Sequence, residues 1–147
     1  MMRVSTKGRY GLRVALELAL RYGGSPVPVR EIAENQGISE KYMEHLISIL
    51  KNAGLVKSVR GAKGGYVLSL PPSRITLLDI IKPLEGELSP VECVDNPGIC
   101  DRSSTCVARD IWRRVKERVE GILRSITLQD LVDEHNRRVS AGFMYYI

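Results

Sequence analysis

A left-handed glycine, Gly37, stands between two short helix-patterned segments and ahead of a glycine-rich hairpin, and this order constrains the chain more than any other feature. From Ile38 to Leu50, Met43, Leu46, Ile47 and Leu50 recur on one helical face. Lys41, Glu44, His45 and Ser48 recur on the other, so one face packs and the other presents polar groups. Before it, Val29 to Gln36 reads as a short helix with Ile32 and Ala33 inward; Gly37 supplies the stop and Ser39 the next cap. Gly54 closes the second helix. Leu55 to Arg60 and Tyr66 to Leu70 then read as strands joined by the flexible basic turn Gly61-Ala62-Lys63-Gly64-Gly65. Helix, tight turn, helix and hairpin make a winged helix-turn-helix, in which the second helix enters the DNA major groove and the hairpin tip lies along the backbone or minor groove.

Charge follows the same division. The first 70 residues carry eleven Lys and Arg against five Asp and Glu, whereas the remaining 77 carry eleven against twelve. A basic winged-helix half suits a polyanionic partner. No apolar run approaches the length of a membrane span and Met1 to Tyr10 lacks a signal-peptide core, so the expected location is the cytoplasm.

Thr6 to Tyr22 reads as a first helix, with Leu12, Leu16, Ala19 and Leu20 on the packing side and Gly23-Gly24 as its stop. Lys7 and Arg9 near its start gain nothing from the helix dipole, which favours anions there; a DNA phosphate is a candidate partner. Thr76 to Lys82 reads as a short helix ended by Pro83. The pattern Ile75-Thr76-Leu77-Leu78-Asp79 recurs as Ile126-Thr127-Leu128-Gln129-Asp130, a Thr cap with an acid three residues on. Gly86 to Thr105 reads as one long loop. Val107 to Ser125 is a long amphipathic helix with Ile111, Trp112, Val115, Val119, Ile122 and Leu123 on one side, and Arg113, Arg114, Lys116, Glu117 and Arg118 largely on the other. No second long helix is evident to cover that stripe. The same helix of a second subunit is the economical cover, giving a homodimer, with packing onto its own winged domain as the alternative.

Cys93, Cys100 and Cys106 fall within or beside the loop, among Asp95, Asn96, Pro97, Gly98, Asp101 and Arg102, which make a poor core. Soft thiolates there point to a metal or cluster, one ligand short of four, or to redox-active thiols. The spacing lacks the paired knuckles of a usual structural zinc site.

Ser5-Thr6-Lys7-Gly8-Arg9-Tyr10, Gly37-Ile38-Ser39, Asn52-Ala53-Gly54-Leu55-Val56, the wing Val59 to Tyr66 and Ile126-Thr127-Leu128 together resemble the bacterial dimeric regulators that include IscR, the iron-sulfur cluster regulator, and CymR, the cysteine-metabolism repressor. The resemblance covers almost the whole chain. It implies a mainly α fold with a small β wing: a winged helix-turn-helix domain over 1–83, a cluster-binding loop over 84–106, and a dimerisation helix with a tail over 107–147. It implies DNA contacts from Ser39, Lys41, Tyr42, Glu44 and His45, and from Arg60 and Gly61 in the wing. Their chemistry agrees: Glu44 can accept from a cytosine amine, Lys41 can meet guanine or phosphate, and Arg60 can enter a minor groove.

The triple cysteine resembles the IscR branch, which implies a cluster on Cys93, Cys100 and Cys106, [2Fe-2S] ahead of [4Fe-4S], and control of cluster-assembly genes. Two departures stand out. The first gap between cysteines is longer than in that pattern, and its ligating His is replaced by Arg109, which stays protonated. The fourth ligand stays open among Asp110, Glu92, Asp95, Asp101, the distant His135, a small molecule or a partner-subunit residue. The end Phe143-Met144-Tyr145-Tyr146-Ile147 resembles instead the CymR tail, implying that Tyr146 and Ile147 dock into cysteine synthase. An enzyme is not expected, since no nucleophile-base pair, phosphate loop or dinucleotide fingerprint occurs.

Overall fold

The computed structural model describes residues 3–146, with side chains up to Gly142. Six α-helices and one two-stranded antiparallel sheet follow in the order α1 (Thr6–Leu20), α2 (Val29–Gln36), α3 (Glu40–Asn52), β1 (Val56–Val59), β2 (Gly65–Leu68), α4 (Leu77–Glu85), α5 (Val107–Ser125) and α6 (Leu128–Tyr146). Helices α1 to α4, with the sheet against them, enclose one core.

The helix-turn-helix forms as its sequence dictates. Gly37 takes φ 66° and its N–H returns to the Glu34 carbonyl at 3.2 Å, ending α2. Two residues on, the Ser39 hydroxyl accepts the Tyr42 N–H at 3.1 Å and starts α3. Met43, Leu46, Ile47 and Leu50 are buried, each contributing about 1.5–3 kcal/mol by leaving water. The sheet pairs Val56 with Leu68 and Val59 with Gly65, and Tyr66 also bridges Val27, so the chain before α2 borders the wing. That bridge demands glycine at 65, where φ is 159° and a Cβ would lie 2.4 Å from the Val27 carbonyl carbon.

Helix α1 departs from the expected packing side. Val14, Ala15, Leu18 and Ala19 are buried, while Leu12 and Leu16 are half-buried and Leu20 is exposed. Small residues set this face: a Cβ on Gly11 would come within 2.3 Å of Leu84 Cδ1, so α1 and α4 approach more closely than larger residues allow. An internal carboxylate also sits at the α1 N-terminus, bound to Ser5 and leaving Lys7 and Arg9 exposed. The Glu85 carboxylate accepts from the Ser5 N–H at 2.8 Å and from its hydroxyl at 2.5 Å. Pro83 does not end α4, which runs on to Glu85. Buried Ile81 and Leu84 hold the last turn down, and the helical bond that Pro83 cannot donate belongs to an exposed stretch.

The second long helix that sequence periodicity left unseen is α6. It packs on α1 and on the 3-10 turn Pro72–Arg74, sending Leu128 and Val132 into the core beside Ile75. The two Thr-x-x-Asp boxes lie side by side. Thr76 bridges Thr127, with Leu77 N–H donating to the Ile126 carbonyl and Leu128 N–H to the Ile75 carbonyl, both at 2.9 Å. Each Thr caps its helix while each Asp closes back on the Thr N–H at 2.9 Å.

Candidate DNA interface and cysteine loop

On α3, Lys41, Glu44, His45 and Ser48 are exposed along one face, opposite the buried Met43, Leu46, Ile47 and Leu50. Ser39 is exposed at the helix start. Tyr42 is half-buried, its ring 6.4 Å from that of His45. Beyond β1, Arg60 and Gly61 are exposed at the wing tip with Lys63. Lys51, at the end of α3, lies 3.4 Å from the Ser58 hydroxyl on β1 and ties the helix to the wing. Lys7, Arg9 and Arg13 are exposed on α1, and Arg13 lies over the Tyr10 ring at 5.3 Å. The result is a polar helix face with a basic loop beside it, which can meet base edges and phosphates together.

The loop between α4 and α5 is more ordered than its composition implies, with 3-10 turns at Glu92–Val94 and Pro97–Ile99. Cys93 and Cys106 are half-buried and Cys100 is exposed. Cys106 is the N-cap of α5, its sulfur 3.4 Å from the Arg109 N–H. Arg109, standing where the resembled pattern has a ligand, instead donates through Nε to the Cys93 carbonyl at 3.0 Å and through Nη1 to the Ser103 carbonyl at 3.4 Å. Lys116, read from the sequence as part of a solvated face, lies under the loop with its side chain 19 % exposed. It bonds Glu87 at 3.0 Å and Asp95, and Glu120 is 3.9 Å away. The hydrogen bond from Lys116 pulls the Asp95 carboxyl below its usual range, and the two carboxylates push the Lys116 ammonium up.

Three thiols suit iron chemically. The loop as folded does not gather them: among the described residues, no three His, Cys, Asp or Glu side chains converge to hold a metal ion. His135 is exposed on α6. Ile147 and the Tyr146 side chain, expected to bind a partner, lie outside the described residues.

Along α5, Val107, Ile111, Trp112 and Ile122 are exposed, and Ile111, Val115, Val119 and Ile122 line an open groove flanked by Arg114 and Arg118. Helix α5 packs on α4 and on the Glu92–Val94 turn, and among the described residues the groove is lined by α5 alone. No helix among the described residues is long and apolar enough to cross a membrane.

The family model described as "Rrf2: Iron-dependent Transcriptional regulator" matches residues 4–134. The HTH-type transcriptional regulator CymR of Bacillus subtilis is 44 % identical over 146 residues, covering 99 % of this chain and all of the relative. Its structure, described as that of the global cysteine regulator, superposes with a TM-score of 0.75 over 91 % of this chain and 98 % of that one. IscR of Photorhabdus laumondii is 39 % identical over 141 residues, 96 % of this chain and 85 % of the relative. The structure of T. potens IscR gives a TM-score of 0.75 at 44 % identity, over 90 % of this chain and 88 % of that one.

Proposed function

Because the chain belongs to the Rrf2 family of transcriptional regulators, we propose that it is a dimeric DNA-binding regulator whose signal is received by the cysteine loop, and that the signal is iron-sulfur cluster status. The family is one of regulators and not of enzymes. The observation that carries the proposal is the placement of Cys93, Cys100 and Cys106 in one loop that abuts both α4 and the start of α5. Those thiols would hold the cluster, [2Fe-2S] before [4Fe-4S], and a bound cluster would bring charge and redox sensitivity to the loop. DNA is read by Ser39, Lys41, Tyr42, Glu44 and His45 of α3, with Arg60 and Gly61 at the wing. Exposure of Lys41, Glu44 and His45 on one face supports this assignment. Two such modules, paired through the α5 groove, address two half-sites.

Anaerobic purification with iron, sulfide and absorption analysis, run beside a protein with all three cysteines changed to Ala, tests the proposal. Near-equal iron and sulfide, lost in the triple variant, is the expected result. Colourless protein with free thiols after reconstitution contradicts it.

A second reading follows from the full-length similarity to CymR. Here the regulator answers to cysteine supply, through cysteine synthase docking on Tyr146 and Ile147. Unchanged association with that enzyme after deletion of both residues would rule it out.

A further inference from the structure

Arg109 and Lys116 are seven residues apart on α5 and so share one of its faces. From that face they grip the loop at four places. Arg109 takes the carbonyls of Cys93 and Ser103, and Lys116 takes the carboxylates of Glu87 and Asp95. The grip spans the loop from residue 87 to 103 and brackets Cys93 on both sides. Cys100 lies between the gripped points Asp95 and Ser103, and is the exposed thiol.

We infer that Arg109 and Lys116 are the positioning residues of the cysteine loop, a two-point latch that shields Cys93 against α5 while leaving Cys100 accessible. This rests on the loop being the sensing element. It adds that the thiols are held apart by α5 itself. Since no three His, Cys, Asp or Glu side chains among the described residues converge with the latch closed, drawing the cysteines together requires the loop to shift on α5, and the latch sets how readily it does so. The position that carries a ligand in the resembled pattern has become an anchor.

Iodoacetamide alkylation of the metal-free full-length dimer, resolved by cysteine, tests the latch. In the wild type Cys100 reacts first and Cys93 slowly. Lys116→Met and Arg109→Met each raise the Cys93 rate about tenfold, the scale of losing charge-assisted hydrogen bonds in a half-buried site, and leave Cys100 unchanged. Lys116→Arg restores slow reaction, which a general loss of folding would not allow. In wild type alone, added salt speeds Cys93 by weakening the Lys116 pairs, and this effect disappears in Lys116→Met. Equal rates for Cys93 and Cys100 in the wild type, or a Cys93 rate unmoved by both Met variants, overturns the inference. Iron is not read, so failure of cluster loading and failure of the latch are separate results.

Discussion

Helices α3 and α5 carry the same kind of amphipathic pattern and resolve it in opposite ways. Helix α3 spends 13 residues and buries Met43, Leu46, Ile47 and Leu50 to 1 % exposure or less. Helix α5 spends 19 and buries none; Ile111 remains 47 % and Ile122 60 % exposed. The apolar face of α3 is completed within its own chain, which fixes its polar face outward. The apolar groove of α5 stays open to solvent, the surface we propose a second subunit covers, while its Arg109 and Lys116 face is taken by the cysteine loop. The proposed DNA reader is thus built on a closed core, and the proposed sensor on a helix with one face still open.

Charging the α5 groove breaks the contrast most severely. Ile111→Asp with Ile122→Asp yields a monomer by sedimentation, and DNA affinity falls by on the order of 10²–10⁴ as two half-sites cease to be held together. A folded monomer with unchanged affinity contradicts the assigned role of the groove. Leu46→Ala sharpens the contrast from the other side. It costs about 2–5 kcal/mol in chemical denaturation, because the cavity lies within one chain. That loss stays the same at low and high protein concentration, whereas the loss caused by a milder groove variant itself changes with protein concentration. The smallest effect is at the joint between the two regions: Thr127→Ala removes one cap and costs about 0.5–2 kcal/mol. Its hydrogen-exchange signature is faster exchange at the start of α6 with α3 protected as before.

What could be read from the sequence follows the same line. Gly37, Ser39 and the Met43-Leu46-Ile47-Leu50 spacing are local signals, and they placed the helix-turn-helix within one or two residues. The bounds of α5 were legible for the same reason. The inward face of α1 was not, because close approach to α4 at Gly8 and Gly11 decides it and periodicity weights Leu12 and Leu16 more heavily than glycine. Helix α6 was hidden by its polar run from Asp133 to Ser140, since the residues that seat it, Leu128 and Val132, fall in its first turns. Lys116 was read as one charge on the polar side of α5 and Arg109 only as a lost ligand; the loop groups they hold are 6 to 29 residues away in sequence, beyond any local rule. Their spacing of seven on a helix preceded by an acidic loop was the available clue.

Promoter binding measured for the cluster-loaded dimer, the metal-free dimer and the triple cysteine-to-Ala dimer at fixed salt tests the joining of a cysteine sensor to a DNA reader most directly. The expected result is that the loaded protein differs from the other two in affinity or in choice of site, and that those two behave alike. Equal affinity and equal site choice in all three states would contradict it.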